Sequence, residues 1–191
     1  MEARMNMWNK KNVIWMVLLM ILYVIGSVVV SVMGAIHPIF FVCYQVTAGI
    51  LLTGVIIKAF SMVKAPGVAL CLAAGMILTF FLIRDASVWH ILPLVIIAAL
   101  AEVIRKIRRY DWTGDVISAA IMSFSTFGFY GQIWLNRDFT YQAAVEEMPA
   151  GYADTLMSVS PPWTFPVVVI AGILLSVLIS NVTAKLFKIE K

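Results

Sequence analysis

The sequence predicts an all-α integral membrane protein: a bundle of six transmembrane helices with both termini inside the cell and an ordered external cap between helices 5 and 6. Three observations predict it. Hydrophobic residues make up 62% of the 191 and charged residues only 13%, with a mean hydropathy of +0.97, more than the core of a soluble domain needs. The apolar residues fall in runs of about 17 to 22, which at about 1.5 Å of rise each cross a bilayer core of about 30 Å. Of 14 lysines and arginines, 12 lie on one side of that topology and only Arg84 and Arg137 on the other, and such a bias places the basic side in the cytoplasm. The links between runs leave no room for a separate soluble domain, so residues 1–191 form a single membrane domain.

The first span is expected over residues 13–32. Arg4, Lys10 and Lys11 precede it as in a signal peptide, but the run is longer than an h-region of about 7 to 15 residues and no small-x-small cleavage site closes it. It is therefore read as a mature helix, ending in the turn Gly34-Ala35-Ile36-His37-Pro38. A second span covers 39–57 and a short basic connection follows from Lys58 to Pro66. The third, 67–83, carries Ala69, Ala73, Ala74 and Gly75, small residues that allow close helix packing and place it centrally. The fourth, 88–104, contains Pro93 near its outer end and finishes in Arg105-Lys106-Ile107-Arg108-Arg109. The fifth, 115–135, combines Ser118, Ser123, Ser125 and Thr126 with Phe127, Tyr130, Gln132 and Trp134, the composition of a lining helix. The sixth, 165–186, is aliphatic, with Gly172, Ser176 and Ser180 at a four-residue spacing that marks a packing face.

Between the last two spans lies Asn136 to Trp163, the longest polar interval in the chain. Its aromatics and paired prolines argue against disorder, so residues 136–163 are read as an ordered external cap. The basic residues sit in clusters that flank apolar runs, which is a topology signal and not a phosphate-binding face. Cys43 and Cys71 lie within apolar runs and lack metal or redox spacing. Glu146-Glu147 has no histidine at a ligand spacing, and no serine sits in a nucleophile elbow. No catalytic or metal site is expected from these patterns, and with no acidic residue recognised deep in a span, an ion relay across the bilayer is disfavoured.

Polar residues that insertion does not explain gather at the outer face, among them His37, Tyr44, Arg84, His90, Arg137 and Asp138. Phe127, Tyr130 and Trp134 repeat at i, i+3 and i+7 and share a helix face. Two readings of that stripe stand: an interfacial aromatic belt and helix packing, or the wall of a pocket for a flat, partly apolar ligand. Arg137 and Asp138 either supply polar contacts to such a ligand or pair with Arg84 and Asp85 across the rim.

Six short spans, Arg137-Asp138 just beyond the fifth, then Tyr141, a Tyr-Ala-Asp segment at Tyr152 to Asp154, and Pro161-Pro162-Trp163 before the last helix resemble the Trep_Strep family. The resemblance implies the substrate-binding S component of an energy-coupling factor (ECF) transporter in the bacterial plasma membrane. It implies capture of a scarce micronutrient, vitamin-like or haem-like, at the outer face, and release inside with a transmembrane coupling subunit and two cytoplasmic ATPases. No Walker A motif is present, so the chain is expected to be no enzyme and to have no cofactor of its own. The expected cargo site comprises His37, Tyr44, Arg84, His90, Phe127, Tyr130, Trp134, Arg137, Asp138 and Trp163, with His37 on the iron if the cargo is haem. The family's docking motif of small residues is displaced on the first helix to Ser27, Ser31 and Ala35. Two alternatives are a membrane enzyme acting on a lipid or prenyl substrate, motivated by Glu146-Glu147 and the histidines, and a structural or regulatory membrane protein without a ligand.

Overall fold

The computed structural model describes residues 8–190, which form helices and turns with no strand among them. Arg4 and Lys191, two of the basic residues counted above, lie outside the described residues. The first helix, α1 (Lys10–Ile36), starts where the Asn9 side chain accepts the Asn12 amide at 2.9 Å, and it runs unbroken for 27 residues. It is longer at both ends than the apolar run alone indicates. His37 stops it in extended conformation and caps α2 (Pro38–Val42), its Nδ1 accepting the Ile39 amide at 3.2 Å.

The expected second span is divided into α2, α3 (Tyr44–Leu51) and α4 (Thr53–Met62), and α3 and α4 are bent by 42° at their junction. After Gly67, whose φ of 102° suits glycine, comes α5 (Val68–Leu82). The next helix, α6 (Val88–Ile107), begins at Ser87, whose hydroxyl accepts the His90 amide. Pro93 lies in the second turn, near the start of the helix. Asp111 caps α7 (Trp112–Met122) in the same manner.

The expected fifth span is also broken. Past α7 the chain passes through a 3₁₀ turn at Ser123–Thr126 into the short helices α8 (Phe127–Tyr130) and α9 (Gln132–Leu135). Serines, threonine and two glycines weaken the helix there. The cap consists of two helices, α10 (Arg137–Glu147) and α11 (Tyr152–Val159), with Gly151 at φ 82° between them. The final helix is α12 (Thr164–Leu186). Among the described residues α1, α6 and α12 are long and apolar enough to cross a membrane alone, and the bent pair α3–α4 adds a fourth crossing if counted as one span.

Packing gives the bundle two buried clusters. One, around Leu52, Ile56, Phe60 and Leu72, fills the middle and the end near the termini. The other joins Tyr44, Tyr130 and Val168 to Ala144, Tyr152 and Leu156 of the cap, so buried apolar contact holds the cap in place. Helix α12 lies against α3, α4 and α7. Its row Gly172, Ser176 and Ser180 is buried, and a Cβ at Gly49 would stand 2.6 Å from the Gly172 carbonyl oxygen. Ser176 is hydrogen-bonded to Thr53 at 3.1 Å.

A charged cluster ties together the end that carries the termini. Arg105 is fully buried; its Nε donates to Asp115 at 2.9 Å and its Nη2 to the Val63 carbonyl at 2.8 Å. It also donates to the Phe60 and Ala65 carbonyls and stacks over the Phe60 ring at 4.1 Å. Asp115 takes a second partner in Lys64, while Glu102 accepts the Ala69 amide at 2.6 Å. Glu102, a carboxylate inside the fourth apolar run, is buried near the end of α6.

Candidate functional site

At the opposite end of the bundle a cavity of about 630 Å³ opens between the C-terminal half of α1, the α5–α6 turn, α8–α9 and the cap helix α10. That volume lies in the range of small-molecule sites, about 300 to 1,000 Å³. Its floor is apolar and aromatic, with Phe41, Met76, Phe80 and Phe129. Ser27 and Ser31 of α1 and Thr79 of α5 add hydroxyls, Gln132 an amide, and Asp85 and Glu147 carboxylates.

His90 is fixed in the wall. Its ring stacks on Phe129 with centroids 3.7 Å apart, and its Nδ1 lies 3.1 Å from the Asp85 carbonyl and 3.4 Å from the Asp85 carboxylate. Both neighbours only accept, so Nδ1 carries the proton and Nε2 of the neutral ring is an acceptor. Behind this wall, Tyr130 is fully buried and donates to Gln45 Oε1 at 2.6 Å, while Gln45 Nε2 donates to Ser123 at 2.8 Å. The chain of bonds holds α8 to α3 across the broken segment.

The sequence-derived site residues divide between wall and frame. Tyr44 and His90 line the cavity. Phe127, Tyr130 and Trp134 do share a stripe, with ring centroids 5.4 Å and 6.4 Å apart, and Trp134 continues onto Phe165 at 5.2 Å. None of the three lines the cavity; the stripe packs α8 and α9 against neighbouring helices. His37 caps α2 and is exposed, and Trp163 is 66% exposed at the start of α12. Asp138 is exposed in the first turn of α10.

Arg137 and Asp85 do not meet across the rim. Arg137 donates to the Ser160 carbonyl at 2.8 Å and the Met157 carbonyl at 2.7 Å, satisfying the end of α11. Asp85 sits beside His90, and Arg84, in left-handed conformation with φ 61°, is exposed. Ser27 and Ser31, expected to face a docking partner, point into the bundle and line the cavity; Ala35 alone of that row is exposed.

Thr79, Gln132, Thr140 and Glu147 also line the cavity and were not singled out as ligand contacts. The available signal was Ser27, Ser31 and Thr79 as hydroxyls within apolar runs. The cap closes onto the site through Tyr152, whose hydroxyl donates to the Gly34 carbonyl at 2.5 Å. Burial pushes the Tyr152 phenol up to about 12. On the exposed side, the bond from Tyr141 to Asp154 at 2.9 Å holds that phenol above its ordinary range.

No curated protein and no solved structure matches the chain. The family model described as a hypothetical bacterial integral membrane protein, Trep_Strep, matches residues 10–189. With nearly the whole chain covered, this membrane protein belongs to the Trep_Strep family.

Proposed function

We propose that the chain is the substrate-binding subunit of an ECF-type importer, a six-pass protein of the bacterial plasma membrane with both termini in the cytoplasm. The observation that carries this is the cavity of about 630 Å³ beneath a helical cap, at the end of the bundle remote from the basic cluster. In that orientation the cavity faces outward, where a scarce nutrient is met, and the cap covers it. The ligand is held by aromatic and apolar contact with a few placed polar groups. Transport is driven by ATP hydrolysis in two partner ATPases, coupled through a transmembrane subunit.

Binding to the purified protein tests the site. Ala143 lies on the cap helix and lines the cavity, so Ala143→Trp is expected to fill it and abolish binding. Co-purification with ATPase and coupling subunits is expected from a native membrane extract; its consistent failure removes the importer assignment. Orientation is tested by thiol labelling with Cys43 and Cys71 replaced. A cysteine at exposed Ser158 in the cap is expected to react in intact cells, and one at exposed Lys106 only after lysis. The reverse pattern refutes the topology.

A further inference from the structure

The cavity accepts hydrogen bonds far more readily than it gives them. Ser27, Ser31 and Thr79 donate their single hydroxyl protons to the carbonyls of Tyr23, Ser27 and Gly75 at 2.9, 3.1 and 2.9 Å. Tyr44 donates to the Ser31 carbonyl at 2.9 Å, Thr140 to Asn136 at 3.1 Å and Tyr152 to Gly34 at 2.5 Å. Each of these hydroxyls has only oxygen lone pairs left for a ligand. His90, with Nδ1–H turned to Asp85, presents an acceptor nitrogen when neutral. Ser87, Trp89 and Gln132 hold the remaining donors.

Charge points the same way. Asp85 and Glu147 line the cavity and, among the described residues, no lysine or arginine does. At this end of the bundle Arg137 is engaged with the end of α11, and Arg84 is exposed in the α5–α6 turn. An anion in such a site would exchange its hydration for only the donors of Ser87, Trp89 and Gln132. A cation would gain the carboxylate of Glu147, that of Asp85 shared with His90, and aromatic ring surface such as that of Phe80.

We infer that this cavity takes an aromatic organic cation, recognised by ring faces, lone pairs and carboxylates, and that it discriminates against carboxylates and phosphates. The inference rests on the cavity being the cargo site, and it names the class of cargo. It argues against a haem-like molecule, whose carboxylates would meet Asp85 and Glu147.

The test is equilibrium dialysis of the purified protein against three probes with one ring system: tryptamine as cation, tryptophol as neutral alcohol and indole-3-acetate as anion. Tryptamine is expected to bind at least about tenfold more tightly than indole-3-acetate. Asp85→Asn combined with Glu147→Gln is expected to narrow that gap to about threefold or less, and Ala143→Trp to remove all binding. Indole-3-acetate binding as well as tryptamine, with both lost in Ala143→Trp, overturns the charge class and leaves the cargo site standing. Failure of all three probes to bind, or tryptamine binding unaffected by Ala143→Trp, overturns the cavity as the cargo site. Matched gel-filtration profiles confirm that the variants are folded.

Discussion

Arg137 separates a ligand-binding role from a structural one. Its Nη1 and Nη2 reach the Ser160 and Met157 carbonyls at 2.8 and 2.7 Å, fastening the start of α10 to the end of α11. Hydrogen bonds from a charged donor contribute about 1.5 to 3 kcal/mol each. The side chain is only partly buried, and discounting the two bonds for solvent screening leaves about 2 to 3 kcal/mol for the pair. Arg137→Ala should raise the population of the open cap by that amount, about 30- to 150-fold. Hydrogen exchange in detergent micelles reads this directly. Protection in α10 and α11 is expected to fall by that factor while α6 and α12 keep theirs. Arg137→Lys, a point donor in place of a fork, should fall between. If α11 keeps full protection in Arg137→Ala, the guanidinium does not hold the cap, and burial of Tyr152 and Leu156 alone does.

Arg105→Met leaves Asp115 and Glu102 buried without their guanidinium and is expected to cost about 3 to 5 kcal/mol in equilibrium unfolding in mixed micelles. Adding Asp115→Leu should recover part of that loss; a cost below about 1 kcal/mol for the single variant contradicts the role given to the cluster. Gly172→Ala would place a Cβ 2.6 Å from the Gln45 carbonyl oxygen, so α3 and α12 must part, with a loss of about 1 to 3 kcal/mol and a lower melting temperature. Unchanged melting would mean that the two helices do not approach as closely as described. Tyr152 gives a pH dependence whose sign is fixed. Its phenol has an ordinary pKa of 10.0 and a folded value near 12, so the folded protein retains the proton that the unfolded chain loses. Stability is complete below pH 10 and declines as pH rises toward 12. Melting followed by circular dichroism above pH 10 should show a shallower decline in Tyr152→Phe than in the parent; identical slopes would discount the buried phenol.

The apolar runs located α1, α6 and α12 well, because a stretch of apolar residues long enough to cross a bilayer has few other uses. Breaks within runs were harder to see. The 42° bend between α3 and α4 occurs at Leu52, next to Thr53 and Gly54; both are weak helix formers, but glycine is common in membrane helices, so their presence in an apolar run does not mark a break. In the fifth run, the Ser and Gly residues did carry a sign, but their polarity was read as lining. Facing was the main loss. Membrane helix α1 is apolar all round, so nothing in its pattern told that Ser27 and Ser31 turn inward to the cavity and not outward. Arg137 and Trp134 are expected from the sequence to contact a ligand, yet the partners they have are backbone carbonyls at Ser160 and Pro161. Contacts of that kind depend on where a distant helix ends, which spacing along the chain does not encode.

The pinning of α1 at both ends has a mechanical consequence. At its start the Trp8 indole donates to the Pro66 carbonyl at 2.9 Å, and near its finish Gly34 receives Tyr152 of the cap. An unbroken helix of 27 residues is about 40 Å long at about 1.5 Å per residue. Such a rod transmits rotation as a lever. If it pivots at mid-bilayer by about 10°, each end travels about 3.5 Å in opposite directions. On the proposed topology, a tilt of α1 would carry a displacement at the α4–α5 turn, where Pro66 is held, to the cap at the other end of the helix with no change in secondary structure.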